Sequence, residues 1–282
     1  MMKRWGIFRF TFGEAIRRGT LLTYFLLGNA IILVLLLGIG HVPQNPDQLT
    51  FFGNPILTKV PKDFDVVQML LAFLESQSSF WIMMFGVFGV AGFMPEILEK
   101  GSAELFLSKP ITRWELLLFR SFGATAGIAA NIVYFMAGVW AVVGLKFGVW
   151  HWKFLASSLL ISYSFACLVV LLFAAGLLMR NTGLVTMFGF IFYVFSWGLE
   201  SRTRGLNLLW DNAVYHRILD ALYYLTPQLS AMLTNATRFV GHSAIANPME
   251  PQTMNWMPYV YSLASATLIY LLSAWYFYRR DY

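Results

Sequence analysis

Long runs of apolar residues, almost free of charge, recur along the chain at 21–40, 79–94, 119–145, 154–179, 183–199 and 259–277. A bilayer's hydrocarbon core of about 30 Å takes roughly 20 helical residues to cross, so the six runs read as membrane spans. The second has an earlier possible start near Val66, because 66–74 is apolar and only Glu75 and Gln77 interrupt it. The first is too long for the apolar part of a signal peptide and lacks a small-residue cleavage site, so it reads as retained. The predicted fold is an all-α integral membrane protein, a single transmembrane domain over 1–282.

Between the spans the pattern changes. In 1–19, Trp5, Phe8, Phe12, Ala15 and Ile16 recur at helical spacing while Arg4, Thr11, Glu14 and Arg18 take another face. This predicts an N-terminal amphipathic helix lying on the inner membrane surface. Residues 41–65 contain Pro43, Pro46, Pro55 and Pro61 and read as irregular. The outer segment 200–257 is the longest polar part. Within it, Asn212, His216 and Asp220 form a polar stripe over 206–225, which predicts an interfacial or re-entrant helix ended by Pro227. The inner loop 95–120 reads PEILEKGSAELFLSKPITRWELLLFR: a short helix over 96–107, a break at Lys109 and Pro110, then Thr112 and Glu115 as a capping box opening the third span.

Composition excludes most alternatives. Hydrophobic residues make up 58% of the chain and charged residues 12%, against about a quarter charged in soluble domains. Cys167 is the only cysteine, so neither an intramolecular disulfide nor a CxxC metal pair exists. With both termini inside, 12 of the 20 basic residues face the cytoplasm, so the whole net charge of +6 falls on that side. This satisfies the positive-inside rule and removes any need for nucleic acid as a partner.

The candidate chemistry is sparse. No GxxxxGK[ST] phosphate loop occurs, and with these bounds no span carries an ionisable residue in its core, so energy is expected from outside the chain. His41, His151, His216 and His242 all fall in outer segments and match no ligand spacing, so no metal site is assigned. Asn235-Ala-Thr237 is a glycosylation sequon expected to go unused. Gly123 and Gly127 permit close helix packing, and Asn29 and Asn131 are expected to hydrogen-bond between helices.

Glu99, Gly101, Glu104, Leu107, Ser108, Pro110, Ile111, Thr112 and Arg113 follow the pattern ExGxxExLLSxPISR, with Thr112 where serine is commoner. In these residues, and in its layout over nearly the whole chain, the protein resembles the membrane subunits of ABC-2 type transporters. The resemblance implies a coupling helix docking on a separate ABC ATPase, with Glu96, Glu99, Gly101, Glu104, Leu107, Ser108, Pro110 and Arg113 as the ATPase-coupling residues. It also implies a second permease copy, ATP and Mg in the partner rather than in this chain, no catalytic residue here, and placement in the bacterial cytoplasmic membrane. A hydrophobic or amphipathic substrate is expected; its binding residues are not identified. A non-transporting subunit that passes force to periplasmic partners stays open, as does, less favoured, a membrane-embedded enzyme.

Overall fold

A computed structural model describes residues 13, 19–42, 45–55, 66–98, 112–203, 212–241 and 253–279. Five helices are long and apolar enough to cross a membrane, which makes the chain a multi-pass membrane protein. They are α2 (Val66–Val90), α4 (Arg113–Phe147), α5 (Trp152–Met179), α6 (Thr182–Glu200) and α9 (Met257–Arg279). The first helix, α1 (Gly19–Gly38), has a shorter apolar part, Leu22–Gly38. Two short helices, α7 (Ala213–Leu225) and α8 (Leu229–Val240), precede α9, and a single turn, α3 (Pro95–Leu98), follows α2.

The core forms around α5, which packs against α2, α4, α6, α8 and α9. Phe154, Phe165 and Phe173 of α5 are fully buried. Large apolar side chains such as Leu22, Leu37, Phe122, Leu159, Ile191 and Leu272 point outward, as expected where lipid is the solvent. Gly123 and Gly127 are buried within this chain, so their close packing is internal.

Local signals explain the helix starts. Thr112 caps α4: its hydroxyl accepts from the Glu115 N–H at 3.2 Å, while the Glu115 carboxylate accepts from the Thr112 N–H at 3.4 Å. Asn181 caps α6 by accepting from the Leu184 N–H at 3.1 Å, immediately after Arg180 ends α5 in a left-handed conformation.

Three expectations need correction. The second span takes the earlier of its two possible starts, Val66 rather than Ser79, because the carboxyl group of Glu75 is hydrogen-bonded inside the protein and does not interrupt it. The third begins at Arg113 rather than Phe119, which moves Arg120 from the first turn of the span to the third. The described part of the proline-rich loop, 41–42 and 45–55, is not irregular. Strands β1 (Ile39–Val42), β2 (Asn45–Phe51) and β3 (Asn54–Pro55) form an antiparallel sheet. Phe52 and Gly53, both at positive φ, make the two-residue turn between β2 and β3. Pro55 lies on the short edge strand, where a missing N–H is tolerated. Ile39 and Leu49 bury against the bundle, and the Lys146 ammonium donates to the Ile39 carbonyl at 2.5 Å, fastening the sheet to α4.

The predicted N-terminal helix over 1–19 lies outside the described residues, apart from Gly13 and Gly19.

Candidate functional site

The polar residues Glu75, Ser76, Gln77, Ser78 and Ser79 cover more than one turn of α2, with Glu75 and Ser79 buried and Ser76 and Gln77 exposed. On one side, Glu75 is fully buried. Ser79 donates to its Oε1 at 3.1 Å, and the Thr237 hydroxyl of α8 donates to its Oε2. Among the described residues no basic side chain pairs with this carboxyl group.

Helix α8 reaches Glu75 because it is inserted between α2, α5 and α6. At 12 residues, about 18 Å, it is too short to cross a bilayer, and its polar groups are supplied by neighbours instead of water. It has no side-chain cap of its own. The Gln228 N–H donates to the Ser262 hydroxyl at 2.9 Å and the Ser230 N–H to the Ser196 hydroxyl at 3.1 Å. Asn235 accepts from the Asn255 N–H at 2.8 Å and donates to the Ala231 carbonyl at 2.7 Å. Buried in this way, the sequon asparagine is inaccessible to a glycosyl donor.

Helix α7 behaves differently. It exposes Val214, Ile218, Leu222 and Leu225 at helical spacing and so presents an apolar stripe. The predicted polar stripe has local uses: the Asn212 side chain accepts from the Val214 N–H at 2.8 Å as the N-cap, and Asp220 pairs with Arg202 at 2.7 Å. The Arg202 guanidinium also stacks on Tyr223, 3.7 Å from the ring centroid. Burial raises the Tyr223 phenol above its usual value, and Arg202 opposes that rise.

Two cavities flank α2. One, about 440 Å³, lies between α2, α6 and α8, with Ser79, Tyr193, Trp197, Ser230, Thr234 and Thr237 among its lining. At its α6 side, Ser230 donates to the Glu200 carboxylate. The other, about 500 Å³, lies between α1, α2 and α4 and is mostly apolar, with Tyr24, Trp81, Phe85 and Asn131 in its wall. The Tyr24 hydroxyl there is buried and without a partner among the described residues. Asn29 accepts from the Tyr134 hydroxyl at 2.8 Å, the interhelical bond its sequence position suggested. Gln77 lines both cavities, so α2 is the wall between them.

At the opposite end of the bundle, Glu96 sits half-buried in α3 and Arg113 is the first residue of α4. Glu99, Gly101, Glu104, Leu107, Ser108 and Pro110 lie outside the described residues. Arg120 is buried, donates to the Phe93 carbonyl at 3.3 Å and stacks on that ring, tying the turn after α2 to α4. Among the described residues, no three potential metal-ligating side chains converge.

No protein-family model matches the chain, and no curated protein matches it.

Sequence reasoning missed Glu75, Thr237, Ser230 and Glu200 as one constellation. The available signal was the polar run on α2 within an otherwise apolar helix, in which Glu75 is the ionisable group that has to turn from lipid.

Proposed function

We propose that the chain is the membrane permease subunit of an ABC-2 type exporter. In this reading it has six spans with both termini in the cytoplasm of a bacterium, and it works as a pair of copies with a separate ABC ATPase. The partner binds ATP and Mg; this chain binds neither and changes shape to release a hydrophobic or amphipathic substrate outward. The observation that carries the reading is the inner-loop motif joined without a gap to α4. Its last residues, Thr112 and Arg113, are the cap and first residue of a 35-residue helix, about 52 Å long. A force applied at the loop is therefore delivered to a rigid rod that spans the bundle. The buried short helix α8, preceded by the apolar-faced α7, ahead of the last span supports the same reading. Glu75 weakens one earlier argument, since an acidic group does lie inside a span; the missing phosphate loop still leaves energy to a partner.

Reversing charge in the loop tests the coupling. Glu99→Lys or Glu104→Lys is expected to lower ATPase stimulation and co-purification about tenfold or more, with membrane insertion intact, because like charges then meet at a partly dry contact. Unchanged complex formation would sink the docking role. Orientation has its own check. With Cys167 replaced by alanine, cysteine introduced at Lys109 is expected to react only from the cytoplasm and at Pro251 only from outside; reversed labelling would overturn the topology.

A further inference from the structure

We infer that the 440 Å³ cavity between α2, α6 and α8 binds the ammonium head of an organic cation. That this cation is cargo rests on the exporter reading; that it binds does not.

The argument begins with the protons of the wall. A hydroxyl has one proton to donate and two lone pairs. Ser79 and Thr237 direct theirs to Glu75, and Ser230 directs its own to Glu200. Thr237 also lies 3.3 Å from the Leu233 carbonyl, a second acceptor within the protein. The three hydroxyls have therefore committed their donors to the protein and can offer a ligand in the cavity only lone pairs. Two carboxyl groups stand behind them.

Among the described residues, no lysine, arginine or histidine lines this cavity. Arg202, at the end of α6, is held by Asp220 and Tyr223. A positively charged ligand rich in N–H donors is thus matched by these lone pairs and by the two carboxyl groups behind them, while an anion meets only neutral donors such as Gln77 and Thr234 and no cationic side chain among the described residues. The remaining wall is aromatic: Phe80 and Tyr193 lie with ring centroids 5.9 Å apart, and Trp197 completes that side. Such faces accept an alkyl chain or the flank of an ammonium. The Tyr193 hydroxyl makes no hydrogen bond among the described residues and adds a polar group for the ligand. A bare calcium or magnesium ion is the poorer fit, because it requires a tight shell of six or more oxygens and one side of this cavity offers rings.

The test uses the full chain alone in nanodiscs of zwitterionic lipid, titrated calorimetrically with hexylammonium, hexanol, hexanoate and calcium, with empty nanodiscs subtracted. Hexylammonium is expected to bind about tenfold or more tighter than the other three. Glu75→Gln and Glu200→Gln are each expected to remove most of that preference, and Ser230→Ala, which takes away the Glu200 partner, to reduce it. Equal binding of hexanol or hexanoate, tighter binding of calcium, or a preference untouched in both glutamine variants would overturn the site. Because no ATPase is present, hexylammonium binding that persists while ATPase coupling fails would overturn the exporter reading and leave the site standing.

Discussion

Glu75→Lys is expected to abolish accumulation of folded protein in the membrane, whereas Glu75→Gln accumulates normally. The carboxyl group is fully buried and held by Ser79 and Thr237. Glutamine keeps the shape and exchanges hydrogen bonds with the same hydroxyls. Lysine introduces a charge with no acidic partner where none can be hydrated, a change that costs about 3–5 kcal/mol in proteins. That is a large share of the total stability of an ordinary domain. Fluorescence-detected size exclusion of detergent extracts reads the result: a monodisperse Glu75→Lys peak at wild-type height would show that the buried carboxyl group is not where α2 and α8 are joined.

The second large effect is expected at Gly86. A Cβ built there stands 2.2 Å from Cε2 of Phe165, a ring with no solvent-accessible surface and so no room to swing. Gly189 reinforces the constraint from α6, since its Cβ would meet Val87 at 2.7 Å and Leu172 at 2.8 Å. The three helices α2, α5 and α6 approach closely at these glycines. Gly86→Val is expected to cost about 3 kcal/mol or more through overpacking. Gly89→Ala, whose nearest neighbour is the Ile128 side chain at 3.2 Å, is expected to be mild by comparison. Thermal unfolding of the purified variants separates the two; equal melting temperatures would mean that the helices can part at Gly86 without loss.

What was legible in the sequence was whatever lipid dictates. Apolar runs longer than a soluble core helix identified the spans from 119 onward to within a few residues, except where Thr112 lengthened one by a capped start. The start of α2 was obscured because Glu75 looked like an end to the run, and its remedy, Thr237, lies on another helix. Helix α8 was hidden for the same reason: Ser230, Asn235 and Thr237 suggest a soluble face until the serines of α6 and α9 and the Asn255 backbone are seen to answer them. The strands were masked by prolines whose tolerance depends on lying near a tip or edge. The coupling motif was legible as a pattern, while most of its residues lie outside those described.

The bond between Thr237 and Glu75 joins positions 162 residues apart, which sets an order of events during synthesis. At 5–20 residues per second, the ribosome makes that length in roughly 8–32 s. For that interval α2 carries its carboxyl group into the bilayer with only Ser79, one turn along the same helix, as a donor. Helices α4, α5 and α6 must be made before α8 can arrive, so closure of the polar core is among the last steps of assembly. A ribosome stalled before residue 237 leaves a bundle whose most costly buried group still lacks its second partner.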